Sequence, residues 1–457
     1  MVWIPLREKV PVAMTIAGSD SGGGAGIEAD LKTFAALGVH GTVAVTSITA
    51  QNTRAVTGVQ DVSPEMVSRQ IEAVVNDIGI DAAKTGMLHT SQIIEVVARE
   101  VKRYAFPLVV DPVMIAKSGA PLLKPEAKRT LIKLLLPVAT VLTPNLREAE
   151  EIAGMKIRSM EDARRAARRI ADLGPKAVVV KGGHMRGDSS VDIFYQDGTY
   201  KYLEAPRIET KTTHGTGCVF SAAIAAELAK GRSLIDAVKT AKEIVTAGIM
   251  FGIPIGGGHG PVNPTAILYM ESERWNVLCR VRKAVEILES SNVGELAPEV
   301  GMNVAMALPY AKDRSDVAAV PGRLRRMGKH VRSASCPEFG VSSHLASYIL
   351  EAMSREPMFR AALNIRYSEK ILRKLRDKGL LISSYDRREE PEHVKRVEGA
   401  TIPWGMKTAI ERVGRVPDVV YHLGDWGKEP MIVLLGEDPV DLARMVASIG
   451  EELHEVD

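Results

Sequence analysis

The sequence predicts an α/β chain of two domains, the first with a mostly parallel sheet between helices and the second a smaller α/β unit. Three observations lead there. Short apolar runs alternate with helical periodicity through residues 12–250, the pattern of strand–helix–strand crossovers. A glycine- and proline-rich break, GIPIGGGHGPVNPT at 252–265, separates this region from one of different character. The chain has 457 residues, more than one core usually serves at about 150 residues per domain, or about 250 for an α/β unit.

Element by element, Val12 to Ala17 is an apolar run that stops at Gly18. After a glycine-rich turn, Ala29, Leu31, Phe34, Ala35 and Leu37 keep helical spacing until Gly38. Thr42 to Ile48 is a second, β-branched run, and Pro64 opens a helix through Ile78. Leu108 to Val110, Ala139 to Leu142 and Ala177 to Val180 read as buried strands ending in Asp111-Pro112, Thr143-Pro144-Asn145 and Lys181-Gly182-Gly183. Val191 to Tyr202 alternates around Asp197-Gly198 as a hairpin does. Helices follow Gly217 and Ser233. Beyond the break, 275–288, 342–353 and 368–378 are helical in pattern, and 419–421 and 431–435 are strand-like. The expected domains are 1–265 and 275–457, with 266–274 as a linker.

Composition excludes several classes. Hydrophobic residues are 46% and charged residues 25%, a globular and not a disordered balance. The longest apolar runs, such as Leu134 to Leu136 with Val138 and Ala139, are too short to span a bilayer. The opening MVWIPLREKVPVAMTIAG lacks the apolar core and small-residue cleavage site of a secretory signal. Cys218, Cys279 and Cys336 lie far apart, against a disulfide scaffold or a cysteine zinc site and in keeping with a reducing cytoplasm. Net charge is +3, divided as +4 over residues 1–270 and −1 beyond. Neither part has the basic excess that nucleic-acid binding needs. Arg164, Arg165, Arg168 and Arg169 sit at helical spacing as a solvated face. No nucleic-acid or membrane partner is expected, and the location expected is cytoplasmic.

The richest segment is Thr212 to Cys218, TTHGTGC, leading into the apolar helix VFSAAIAAELAKG. Small residues before a helix let backbone N–H groups approach an anion, and the helix dipole favours it. A transferring phosphoryl group needs such a preorganised environment. Cys218 falls in the first helical turn, where a thiol's pKa is lowered and a thiolate would take a proton from a substrate hydroxyl. The ordinary alternative is a cysteine packed as a small apolar residue. Gly18 to Gly26 offers a permissive backbone with Asp30 one turn beyond. Gln51-Asn52 would read a heterocycle edge, because an amide both donates and accepts. Asn145 and Glu148, three apart, would orient water around Mg²⁺, or form an N-cap with a capping-box glutamate.

Taken together, AGSDSGGGAGIEADLKTFAALG (17–38), ITAQN (48–52), KTGML (84–88), VDPVMIAKSGAPLL (110–123), LTPNLREAE (142–150), KGGH (181–184) and THGTGC (213–218) resemble the hydroxymethylpyrimidine/phosphomethylpyrimidine kinases, in order over residues 12–265. The resemblance implies a ribokinase-like three-layer α/β/α fold. It also implies ATP-dependent phosphorylation of 4-amino-5-hydroxymethyl-2-methylpyrimidine and then of its monophosphate. By position, Gly18, Asp30, Gln51 and Met87 would form the pyrimidine pocket, Asp30 and Gln51 bonding the aminopyrimidine edge and Met87 packing on the ring. Cys218 takes the place of the aspartate base of sugar kinases of this fold. Lys181 and Asn145 would serve the ATP phosphates, Asp111 and Glu148 the Mg²⁺, and Gly215, Thr216 and Gly217 the anion hole. His214 is open between a structural partner and an acid or base. Pyridoxal is a plausible further alcohol, and homodimerisation is common in the fold.

Residues 275–457 carry no glycine-rich nucleotide loop. Arg323, Arg325, Arg326, Lys329 and Arg332 cluster after Pro321-Gly322, followed by CPEFGVSSHLA with His344. Guanidiniums suit phosphate or diphosphate through bidentate contacts; a solvated basic helix is the alternative. VPGRLRRMGK, CPEFGVSSHLA, NIRYSEKIL, SSYDRREEP and PDVVYHLGDWGKEPMIVLLGEDP resemble the archaeal-type thiamine-phosphate synthase domain. That resemblance implies coupling of the pyrimidine diphosphate to hydroxyethylthiazole phosphate, with Arg323 neutralising phosphate charge and His344 donating a hydrogen bond or proton. The same domain also occurs beside DNA-binding modules as a ligand sensor, so the alternative is a kinase joined to a thiamine-phosphate-sensing, non-catalytic domain.

Overall fold

The structure is a computed structural model, and it describes residues 9–115, 119, 122–182 and 189–454. The opening residues 1–8, parts of the VDPVMIAKSGAPLL stretch (116–118 and 120–121) and Gly183-His184 of KGGH lie outside the described residues. The chain divides into two compact units, Met1–Tyr269 and Met270–Asp457.

In the first unit the apolar runs become strands β1 (Val12–Ala17), β2 (His40–Val45), β3 (Ser47–Gln51), β4 (Val56–Asp61), β5 (Ala82–Thr85), β6 (Leu108–Val110), β7 (Val141–Leu142), β8 (Ala177–Val180), β9 (Ser189–Gln196) and β10 (Thr199–Pro206). Eight of them form one sheet in the order β10-β9-β8-β7-β6-β5-β1-β2. It is parallel from β2 through β8, with β9 and β10 added antiparallel. The β9–β10 turn puts both Asp197 and Gly198 at positive φ, 49° and 80°, the two-residue turn whose twist matches the strands. The run read as Thr42 to Ile48 breaks at Thr46. Its first part stays in the main sheet as β2, and its second, β3, pairs antiparallel with β4 in a separate hairpin.

Alternation along the strands explains the three layers. Leu108 and Val110 enter a core with Ile93, Ile94, Val97 and Leu135, whereas Val109 between them enters a second core with Val219, Phe220 and Ile224. A strand buried on both faces is apolar, as β6 is, or pairs its one polar side chain, as β1 does through Thr15. Helix Thr216–Ala229 is buried continuously from Val219 to Glu227, which accounts for its lack of a polar stripe. The order β2-β1-β5 reverses direction at β1, and ligands collect beyond the carboxyl ends of strands at such a reversal.

The 252–265 break is tied down. His259 N–H donates to the Thr53 carbonyl at 3.0 Å, His214 N–H to the Gly260 carbonyl at 3.0 Å, and Val262 N–H to the His214 carbonyl at 3.0 Å. Residues 266–274, expected as a linker, are the start of helix Ala266–Ser290. AILYMESE contains no glycine or proline and several strong helix formers, so nothing local interrupts the helix.

The second unit comprises β11 (Asn303–Ala307), β12 (Val317–Ala319), β13 (Leu324–Met327), β14 (His330–Ser333), β15 (Glu338–Phe339), β16 (Ala361–Arg366), β17 (Ile382–Ser384), β18 (Val419–His422) and β19 (Met431–Gly436). Seven strands form a sheet ordered β15-β12-β11-β16-β19-β18-β17, parallel only between β17 and β18. Val304 and Met306 face one core and Ala305 and Ala307 the other. The basic segment after Gly322 is a hairpin, β13–β14, and not the helix weighed from its composition. Leu324 and Val331 are buried while Arg325, Arg326 and Arg332 are exposed, so one side chain of each strand anchors the hairpin and the guanidiniums face outward.

Candidate functional site

One cavity of about 670 Å³ opens at the carboxyl ends of the parallel strands. Gly18, Gln51, Met87, Asp111, Asn145, Glu148, Lys181, Gly215, Thr216, Gly217 and Cys218 all line it. Asp30 does not. It is fully buried beneath, where its carboxylate accepts from Thr15 Oγ1 at 2.6 Å and from Lys84 Nζ at 2.9 and 3.1 Å. Burial opposes the Lys84 charge, and the adjacent Asp30 carboxylate more than restores it, so the ammonium stays protonated. Asp30 therefore holds a lysine and does not face a ligand edge.

Gly215 caps helix Thr216–Ala229 at φ 81°. A Cβ there would lie 1.8 Å from the Gly24 carbonyl oxygen, so glycine is required both by the left-handed backbone and by the approach of the two loops. The first intrahelical bond runs from Val219 N–H to the Gly215 carbonyl. The amides of Gly215 to Cys218 are thus the free donors of the helix start. Thr216 Oγ1 donates to the Thr213 carbonyl at 2.7 Å, bracing the turn.

Cys218 is half-buried in the cavity wall. The expected lowering of its pKa is overturned: burial pushes the thiol up to about 12, despite the Lys84 ammonium and a hydrogen bond from the Gly26 amide, which both favour thiolate. Desolvation outweighs the helix dipole and the lysine because that lysine is already neutralised by Asp30. The resting group is a neutral thiol.

Beside the same helix start, Lys181 Nζ donates to Asp111 Oδ1 at 3.1 Å. A Cβ on Gly217 would sit 3.2 Å from Asp111 and 3.4 Å from Lys181, which places these charges against the start of the helix. Asn145 and Glu148 form the capping box: Asn145 Oδ1 accepts from Glu148 N–H at 3.0 Å, and Glu148 accepts from Asn145 N–H at 2.8 Å. Asn145 thus offers the cavity its amide NH₂ and not its oxygen. Burial raises Glu148 to about 7, and the neighbouring Asp111 charge adds to this against Lys181. Among the described residues no cluster of three or more His, Cys, Asp or Glu forms a ready-made metal cage. Two hard carboxylate donors that share the single charge of Lys181 nonetheless fit a water-rich Mg²⁺, which takes few protein ligands.

His214 lines the cavity and bridges the two loops. Its Nε2 lies 2.8 Å from Asp20 Oδ2 and 3.2 Å from Gln51 Nε2. Asp20 also accepts from the amides of Gly22, Gly24 and Ala25 at 2.9, 3.1 and 2.8 Å. Burial alone would raise its pKa, but these bonds and His214 hold it below the usual carboxylate value. Asp20 and Lys84 are the residues that sequence reading passed over. An aspartate two residues before a glycine is an Asx-turn signal, and a lysine inside the apolar strand AAKT must be buried and paired.

Arg323 and His344 lie in the second unit. Arg323 sits at φ 66°, rare for a side-chain-bearing residue, and donates to the Val300 carbonyl at 3.0 Å. His344 follows Ser343 at the start of helix Ser343–Met353. Burial first, then the charges of Arg323, Arg387 and Lys428, hold its pKa down to about 4. Its ring lies tilted, 5.3 Å from that of Tyr348, whose hydroxyl meets that of Tyr385 at 2.7 Å, and the Tyr385 ring lies 5.3 Å from that of His422.

An amide nest, a lysine, two carboxylates and a thiol at one mouth of a doubly wound sheet define a small-molecule kinase of ribokinase-like fold. Residues 20–263 match the phosphomethylpyrimidine kinase family, and the chain belongs to it; residues 280–448 match the thiamine-phosphate synthase ThiN, so both domains stand in one chain. A hydroxymethylpyrimidine/phosphomethylpyrimidine kinase of Rhizobium meliloti is 51% identical over 255 residues, 55% of this chain and 96% of that protein. The thiamine biosynthesis bifunctional protein ThiED of Geobacter sulfurreducens is 47% identical over 251 residues, 55% of this chain and 51% of its own. Bacillus subtilis pyridoxal kinase in an ADP complex is similar with a TM-score of 0.53 and 40% identity, over 57% of this chain and 100% of that one. Pyridoxal kinase from Staphylococcus aureus, in complex with AMP-PCP and pyridoxal, gives 0.53 and 38%, over 57% and 95%. Among the described residues no helix is long and apolar enough to cross a membrane.

Removing Lys84 tests the buried pair. Lys84→Met strands the Asp30 carboxylate and should cost about 3–5 kcal/mol, read as a lower urea midpoint of the first unit. Adding Asp30→Leu should recover most of it. A single variant as stable as wild type would contradict the assignment.

Proposed function

We propose that the first unit transfers the terminal phosphoryl group of ATP to the hydroxymethyl oxygen of 4-amino-5-hydroxymethyl-2-methylpyrimidine and then to its monophosphate. The second unit joins the resulting diphosphate to hydroxyethylthiazole phosphate. In the first reaction the alcohol oxygen forms a bond to phosphorus, the bond to ADP breaks and the alcohol proton departs. In the second, the thiazole nitrogen bonds to the pyrimidine methylene as pyrophosphate leaves, giving thiamine phosphate. The observation that carries the reading is the placing of Cys218, in the first turn behind the Gly215–Cys218 amides, in the same cavity as Met87 and Gln51.

In this reading Met87 and Gly18 form the floor of the ring pocket. A Cβ on Gly18 would come within 3.4 Å of the Met87 sulfur, so a side chain there would crowd the ring. Gln51 presents its amide to the heterocycle from a position set by His214. The helix-start amides and Lys181 receive the charge that builds on the transferring phosphoryl oxygens, and the Asn145 NH₂ steadies a nucleotide phosphate. Asp111 and Glu148 would hold Mg²⁺, which supplies positive charge to the phosphate oxygens. Cys218 accepts the alcohol proton. Because its thiol is protonated at rest, it first gives its own proton to water in the cavity, a loss that the Lys84 ammonium below favours, and then takes the alcohol proton as the oxygen–phosphorus bond forms. Since the solved relatives include pyridoxal kinases, pyridoxal is the second alcohol to assay. In the second unit Arg323 neutralises phosphate charge and His344, a neutral ring, donates to a phosphate oxygen.

Cys218→Ala should lower kinase turnover by about 10²-fold with a nearly unchanged KM for the pyrimidine alcohol; near-normal turnover would leave the thiol only a packing role. Supplied with the pyrimidine alcohol, ATP, Mg²⁺ and hydroxyethylthiazole phosphate, the whole chain should release thiamine phosphate. Arg323→Ala should abolish that product while sparing pyrimidine diphosphate formation. Tight thiamine-phosphate binding without any turnover would instead mark the second unit as a sensor.

A further inference from the structure

The second unit contains an unmatched group of cationic and imidazole side chains larger than Arg323 and His344. Arg387 is half-buried at the end of the Tyr385-Asp386-Arg387 segment. Its neighbours are satisfied: Arg388 bonds Asp386, and Arg412 bonds Ser384 and Glu389. The Arg387 guanidinium has no hydrogen bond or ion pair to any described residue. A half-buried guanidinium without a carboxylate is uncommon, because burial must be offset by a partner.

His422, at the end of β18, is 3% exposed. Gly424 N–H donates to its Nδ1 at 3.1 Å. That bond requires a lone pair on Nδ1, so in the neutral ring the proton sits on Nε2. Nε2 has no protein partner among the described residues. The Tyr348–Tyr385 hydroxyl pair links the His422 and His344 rings into one buried row. Arg387 lies close enough to both histidines for its charge to depress their basicity. The charges of Arg323, Arg387 and Lys428 all bear on the His344 ring, while the one carboxylate acting on this row is the buried Glu390 beside Tyr385; three cations against one carboxylate, beside two imidazoles, make a site for an anion.

We propose that Arg387 and His422 join Arg323 and His344 in binding the phosphate or diphosphate of the ligand of the second unit, Arg387 as a charge and His422 as a neutral Nε2–H donor. The inference rests on the synthase reading for the identity of the ligand, but anion binding is testable without turnover. Inorganic pyrophosphate titrated calorimetrically into the whole chain is the probe. Arg387→Met should weaken binding by about tenfold or more, as expected for a lost charge-assisted bond. His422→Leu should weaken it by about five- to tenfold, and His422→Gln, whose amide nitrogen falls near the position of Nε2, should restore it to within about threefold. Kinase turnover should be unchanged in all three.

Unchanged pyrophosphate affinity in Arg387→Met would overturn the proposal, and so would a His422→Gln variant as weak as His422→Leu. Arg387 has no protein partner to strand, so its variant tests binding even where a His422 variant melts early. If wild type binds pyrophosphate through these residues yet forms no thiamine phosphate, the synthase reading fails and this site stands. If thiamine phosphate forms while both variants bind as wild type, the reverse holds.

Discussion

The kinase site depends on one buried carboxylate. Asp20 gathers three amides of its own glycine loop and the imidazole of His214 from the other, fastening the turn after β1 to the turn that starts helix Thr216–Ala229. Both loops are rich in glycine and small polar residues, and Gly215 and Gly24 approach too closely for a side chain at Gly215, so apolar packing between them is slight. A network of hydrogen bonds to one fixed negative charge replaces that packing. With His214 held, the Gly260–Val262 backbone is held as well, and Gln51 is set at the cavity edge.

Below this lies a second polar layer, the Asp30–Lys84 pair with Thr15. It sits beneath Cys218 and changes how that residue should be read. A thiol at a helix start is ordinarily expected to ionise readily, but here desolvation dominates, and Lys84 is partly spent on Asp30. The pair keeps a positive charge near the sulfur without letting it draw off the proton at rest. Such a group receives a proton only when the bound reactants change the local field. That agrees with phosphoryl transfer, in which positioning and electrostatics carry most of the catalysis.

Much of this was legible in the sequence, and the exceptions have physical reasons. Strands such as β6 and β8 are marked by unbroken apolar runs, and the cavity residues by the polar turns at their ends. The split of the 42–48 run at Thr46 was hidden because β-branched residues favour a strand on either side of the bend. The 266–274 segment does hold the boundary between the units, at Tyr269–Met270, but as the first turns of a helix: the preceding glycines and prolines suggest a linker, whereas helix propensity within the segment decides. Asp30 was misplaced by three residues' worth of chemistry: position suggested a ligand contact, but the matching buried lysine lies 54 residues away, and no local pattern links them. The capping box of Asn145 and Glu148 was visible from spacing, but its coexistence with a cavity-facing carboxylate was not. In the second unit, the Arg387 and His422 surroundings arise from separate strands and loops, so spacing carried no trace of them.

The central claim is that the Cys218 sulfur and the amides behind it flank the reacting oxygen. A crystal structure of the whole chain with the pyrimidine alcohol and a non-hydrolysable ATP analogue tests it most directly. The account predicts the hydroxymethyl oxygen within hydrogen-bond reach of Cys218 Sγ, and the terminal phosphate on the Gly215–Cys218 amides. An alcohol bound with its oxygen turned away from the sulfur, or a phosphate seated off that helix start, would contradict it.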